Sequence, residues 1–175
     1  PFGGNFWDDY LGIDEFWGLD QNNEGSDGIG DQVYQGIDEY PLMGMIQCFR
    51  AFELNESSFY IVFASNSTIE NFNFNPSGAF IEFEVTGPGF CRIIIPKQLL
   101  WVENNEQWSV FVNSMKRSYF LQDDATYTYF YFNYDYGFQT VRIEGIYAIQ
   151  EFSLVTLILT LAFFLFVVST INGKI

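Results

Sequence analysis

The chain has 175 residues, a net charge of −15 and no histidine; 49% of it is hydrophobic and 21% aromatic. So acidic a surface argues against nucleic acid and anionic lipid headgroups as partners, because both repel carboxylates. Without histidine, the commonest general base and transition-metal ligand is missing.

Residues 1–47 hold ten carboxylates and neither lysine nor arginine. Glycine is frequent there, and Phe6, Trp7, Tyr10, Phe16, Trp17, Tyr34 and Tyr40 follow no regular period, which predicts loops with short strands. So many like charges need cations or solvent to hold together. Asp20, Asn22 and Glu24 alternate before Gly25, with Asp31 at the twelfth place. Oxygen ligands at alternate positions around a turn-forming glycine are the pattern of a calcium loop. Asp31 stands where that pattern has Glu, and Asp27 where it has an apolar residue. A second register from Asn23 through Asp27 to Asp31 reads equally well, and a solvated acidic turn is the plain alternative. The candidate Ca2+ ligands are therefore Asp20, Asn22, Glu24, Asp27 and Asp31.

Gly4-Asn5-Phe6-Trp7-Asp8-Asp9-Tyr10, Asp27-Gly28-Ile29-Gly30-Asp31, Ile37-Asp38 and Tyr40-Pro41-Leu42-Met43 form an ordered string over roughly residues 3–43. It resembles the motifs closing the last coil of right-handed parallel β-helix proteins of the periplasmic copper-binding (NosD-type) family, which also occurs in large archaeal surface proteins. The resemblance implies a β-helix cap whose solenoid lies upstream. A lone terminal coil cannot bury its own apolar face, so a fragment, or a subunit completed by a neighbour, is expected. The family's copper association does not carry over, because no His or Met cluster is present.

From about Cys48 the texture changes to runs of β-branched and aromatic residues between turn clusters. An apolar strand is predicted over 58–64, then Ile69, Phe72 and Phe74 lead into the turn Asn75-Pro76-Ser77-Gly78. Residues 79–86 alternate, with Ala79, Ile81, Phe83 and Val85 on one face and Phe80, Glu82, Glu84 and Thr86 on the other. Gly87-Pro88-Gly89 is expected to break that strand, and 90–95 to form another, closed by Pro96. Segments 108–112, 127–134 and 140–146 complete six or seven strands. The fold class predicted is mainly β: a β-helix cap (1–47), an immunoglobulin-like β-sandwich (48–150) and a C-terminal transmembrane-type helix with a short tail (151–175). Cys48 and Cys91 are a candidate disulfide if the domain is exported, and Asn55-Glu56-Ser57 and Asn66-Ser67-Thr68 are candidate glycosylation sites.

Asn71-Phe72-Asn73-Phe74-Asn75, Gly89 through Lys97, Tyr127 through Phe132 and Val141-Arg142-Ile143-Glu144-Gly145 resemble a membrane-proximal sandwich of archaeal surface proteins. That sandwich precedes a Pro-Glu-Phe sorting signal and a hydrophobic tail. Here Glu151-Phe152 is kept, but Gln150 stands in place of the proline.

Between Leu154 and Ile171 run eighteen residues without charge, proline or glycine, thirteen of them Leu, Ile, Phe or Val. At roughly −0.3 to −0.6 kcal/mol each, those thirteen favour insertion by about 4 to 8 kcal/mol. As a helix the stretch would span about 27 Å, close to the ~30 Å hydrocarbon core. The reading is a single-pass membrane anchor or, failing that, the helical core of an assembly. All 22 acidic and six of the seven basic residues precede it, and Lys174 follows, which puts the body outside the cell and the C-terminus inside. The chain starts at Pro1 with no signal sequence, so a longer or processed precursor is expected.

Adjacent carboxylates at Asp8-Asp9, Asp14-Glu15, Asp38-Glu39 and Asp123-Asp124 read as solvated loop charges, and no catalytic residue is assigned. Arg92 is expected to pair with one of the acids. The 127–136 aromatic stripe reads as core and interface rather than a glycan platform, while Trp101 and Trp108 are open between the two. Three functions fit: a cell-surface structural protein, a filament or sheath subunit, or the tail of a polysaccharide-acting β-helix enzyme. The candidate partners are membrane, further copies or other surface proteins, and glycans, with Ca2+ as cofactor.

Overall fold

The computed structural model describes residues 3–18, 20–54 and 56–149, and these are mainly β, paired antiparallel. The predicted helix at 154–171, the sorting motif at 150–152 and Asn55 lie outside the described residues. Among the described residues no helix is long and apolar enough to cross a membrane.

In the acidic segment, β1 (Phe16–Trp17) and β2 (Asn23–Glu24) form a minimal antiparallel pair. The body follows as β3 (Met45–Leu54), β4 (Ser57–Ser65), β5 (Glu70–Asn75), β6 (Phe80–Pro96), β7 (Leu100–Trp101), β8 (Ser109–Val112), β9 (Met115–Lys116), β10 (Phe120–Asp123), β11 (Tyr127–Glu144) and β12 (Tyr147–Ala148). Eight of these make one sheet in the order β3-β4-β6-β11-β8-β9, with β5 also on β6 and β10 also on β11; β7 and β12 pair separately.

Two long strands generate the layers. β6 and β11 pair along their whole length, with a register shift between Tyr134 and Gly137. On one side of that shift the ribbon is flanked by β5 and β8, on the other by β4 and β10. The two halves face each other across a shared core. Phe63 of β4 meets Phe83 of β6 at 5.0 Å between ring centroids, Phe49 of β3 stacks on Phe72 of β5 at 5.0 Å, and Trp108 meets Phe130 of β11 edge-on at 5.0 Å. The arrangement is that of a sandwich whose two sheets share β6 and β11.

The strand break predicted at Gly87-Pro88-Gly89 does not occur. Those residues lie opposite the irregular stretch of β11, where Pro88 needs no ladder donor. Both glycines are required by close approach: a side chain at Gly87 would meet the Asp135 carbonyl and lie 2.6 Å from the Tyr134 ring, and one at Gly89 would lie 2.6 Å from the Tyr134 hydroxyl. For the same reason 127–134 and all but the last two residues of 140–146 are parts of one strand, which ends at Glu144. The predicted alternation over 79–86 is observed, with Ala79, Ile81, Phe83 and Val85 all buried. That side of β6 continues inward through Cys91, Ile93 and Ile95.

The opposite side of β6 and β11 is covered by the acidic segment. Ile29 and Leu42 pack with Ala64 as a small second core, and Arg92 and Tyr131, which point away from the main core, are buried beneath the segment.

Candidate functional site: the acidic segment and its buried ion pair

The motif string of the acidic segment is drawn together in space. Gly4 donates its amide to Tyr40 O at 2.5 Å, Leu42 to Asn5 O at 2.9 Å, Gly30 to Pro41 O at 2.7 Å and Met43 to Gly28 O at 3.0 Å. Asp38 ties the first and last motifs, accepting from the Asn5 amide at 2.7 Å, the Trp7 indole at 2.9 Å and the Tyr40 amide at 3.1 Å. Burial would raise its pKa, but these three donors outweigh that and hold the carboxyl below its ordinary value.

Asp27 and Arg92 join the segment to the sheet. Their side chains are 6% and 3% exposed and 3.4 Å apart, and Arg92 Nη1 also donates to the Asp27 carbonyl at 2.7 Å. The Asp27 carboxylate further accepts from Gln21 Nε2 at 2.9 Å and the Ile29 amide at 3.0 Å. The guanidinium lies 5.6 Å from the centroid of the Tyr129 ring. Arginine suits this place because its planar fork serves several acceptors and keeps its charge. The expectation that Arg92 pairs with an acid is met, and the partner is Asp27.

Asp14, like the buried Asp38, was read from the sequence as a solvated loop charge and is not one. Its carboxylate accepts from the Asp27 amide at 2.9 Å and the Gly28 amide at 2.8 Å. Burial pushes its pKa up to about 7 against those two donors, and the charges of Asp27 and Asp31 push the same way. In the sequence it is one of a solvated-looking pair, and nothing local separates it from the exposed Glu15.

The candidate calcium ligands do not gather. Asp20, Asn22 and Glu24 are exposed, whereas Asp27 is held by Arg92 and Asp31 accepts from the amides of Glu15 at 2.6 Å and Phe16 at 3.2 Å. Among the described residues no group of three His, Cys, Asp or Glu is placed to hold a metal ion. Cys48 and Cys91 are both free, which corrects the candidate disulfide. The register sets Cys48 across from Val62, which pairs with Ile94, while Cys91 shares the inward face with Ile93. The two thiols therefore lie on opposite faces of the sheet with β4 between them. Burial pushes the Cys91 thiol up to about 12, so it stays protonated. Asn66 is exposed, as a glycan acceptor must be, and its side-chain oxygen accepts from the Phe90 amide at 3.0 Å.

In the aromatic stripe, Phe130, Phe132 and Tyr134 belong to the main core, and Tyr129 and Tyr131 are buried. Trp108 is also buried, whereas Trp101 stays at the surface, stacked on Tyr147 at 5.6 Å. No family model matches the chain, and no curated protein and no solved structure matches it either.

Proposed function

We propose that the chain is a structural protein of the cell surface. An immunoglobulin-like β-sandwich serves as a stalk, residues 154–171 fix it in the membrane, and the acidic segment is the cap of a β-helix region of the NosD-like type. Its work is mechanical display rather than catalysis. The observation that carries this reading is the uncharged eighteen-residue stretch following directly on a domain whose buried ionisable groups are occupied by structural bonds. In the acidic segment, calcium acts as a counter-ion to the exposed carboxylates of Asp20 and Glu24. The test is extraction of the full chain from membranes at alkaline pH. Retention until detergent is added is expected; release without detergent would overturn the anchor.

A second reading, a filament or sheath subunit, is favoured by one specific observation. The ten-residue strand β3 pairs only with β4 among the described residues, leaving a long edge. Leu11 and Ile37 of the acidic segment are also strongly exposed. Such an edge accepts a strand from another copy. Filaments in detergent-free preparations, seen by electron microscopy, would select it over the anchored stalk.

A further inference from the structure

The point where the described chain ends carries an exposed aromatic pair beside an open cleft. β7 and β12 pair there, with Trp101 opposite Tyr147, and the Ile149 amide donates to Leu99 O at 2.9 Å. Trp101, Tyr147 and Ile146 are 36%, 40% and 48% exposed. With Pro76, Gln98 and Ile149 they border an open cleft of about 480 Å³, and none of its lining residues is charged. On a chain with 22 acidic residues, an exposed aromatic stack with an uncharged cleft on one side and Glu103 at its other edge is a feature that needs a cause.

We propose that this face is seated in the headgroup layer of a lipid bilayer, with Trp101 and Tyr147 as its interfacial anchors. The inference rests on the membrane reading of residues 154–171. Only four residues lie between Ile149 and Leu154, and five steps of no more than ~3.6 Å reach about 18 Å. An inserted 154–171 segment therefore holds the β7–β12 end within about 18 Å of the hydrocarbon boundary. The face that meets the lipid must then tolerate a half-polar, half-apolar medium. Tryptophan and tyrosine suit that medium, because their rings bury while the N–H or O–H stays wet. Tyr147 shows the polarity required: its ring stacks on Trp101, and its hydroxyl donates outward to Glu103 Oε1 at 3.1 Å. Glu103 and the acidic body exclude an anionic surface, so the partner is a zwitterionic or uncharged bilayer.

The test uses the full chain reconstituted in phosphatidylcholine vesicles containing lipids brominated on the acyl chain close to the headgroup. Tryptophan emission is compared between the wild type, Trp101→Phe and Trp17→Phe, each first checked for an unchanged thermal melt. Bromine quenching is expected to fall at least twofold in Trp101→Phe and to persist in Trp17→Phe. Should Trp101→Phe fail to fold, hydroxyl-radical labelling of the wild type replaces it. Oxidation of Trp101 and Tyr147 in vesicles is expected to be several-fold slower than that of Tyr60, which is comparably exposed at 47%. Equal quenching in the wild type and Trp101→Phe, or equal oxidation, overturns the inference while alkali-resistant insertion leaves the anchor standing. Release of the chain by alkali defeats the anchor itself. Emission that responds to a soluble neutral oligosaccharide and not to brominated lipid also overturns the inference, by making the face a glycan site.

Discussion

Asp14, Asp27 and Arg92 form the most consequential group of side chains, because a buried ion pair and a half-buried carboxyl group lie together between two layers of the protein. Breaking a buried pair leaves an uncompensated charge, which costs about 3–5 kcal/mol. Arg92→Met is therefore expected to lower stability by that amount in urea unfolding. The double variant Arg92→Met with Asp27→Asn should recover a large part of it, because the stranded carboxylate is gone. Asp14 sets a pH dependence of unusual sign for a carboxylate. It ionises near 3.8 in the unfolded chain and about 7 in the folded one, so the folded state holds the proton more tightly. Its contribution to stability is full below about pH 4, declines as pH rises through that window, and is gone above about pH 7. Asp38 and Asp124, whose folded values are lowered by the donors around them, lose stability instead as pH falls. The Asp14 contribution is therefore read as a difference: subtracting the melting profile of Asp14→Asn from that of the wild type between pH 4 and 8 should leave a falling curve.

The element that decides the architecture is the bend in the β6–β11 ribbon. Gly87→Ala places a methyl group against the Asp135 carbonyl and the Tyr134 ring, and overpacking of that kind costs roughly 1–3 kcal/mol. Gly137, on the facing strand, has φ +93° and no atom within 4 Å of an added Cβ, so its substitution meets backbone strain alone. Thermal melts should rank Gly87→Ala below Gly137→Ala, and equal melts would mean the bend relaxes easily. Much of the sheet was legible in the sequence. The period-two alternation over 79–86 identified its buried face residue by residue, and the β-branched and aromatic runs located β4 and the outer parts of β6 and β11. Continuity through Gly87-Pro88-Gly89 was not legible, because glycine and proline read locally as breakers. What preserves the strand is the irregular stretch of β11 opposite them, far away in sequence. The ion pair was half legible: Arg92 announced the need for an acid, but only the path of the acidic segment across the sheet selects Asp27 and half-buries Asp14.

At the scale of the whole molecule, charge is distributed unevenly. Ten carboxylates lie in residues 1–47, which lack any basic residue of their own, and Arg92 supplies one cation from beneath them. Divalent cations are expected to raise the melting temperature by several degrees over sodium at equal ionic strength. If they act as counter-ions, calcium and magnesium will be nearly equivalent, because no cage selects between their radii and coordination numbers. A calcium-specific shift abolished by the double variant Asp20→Asn with Glu24→Gln would instead restore the ligand loop. The sharing of β6 and β11 by both layers has a further result for how the body would respond to a pulling force. In a sandwich of two separate sheets, a pull can slide one sheet off the other while each keeps its own hydrogen bonds. Here two covalent backbones cross from one layer to the other, so the layers cannot be sheared apart without unzipping the ribbon itself. The body must give way as one unit or hold as one.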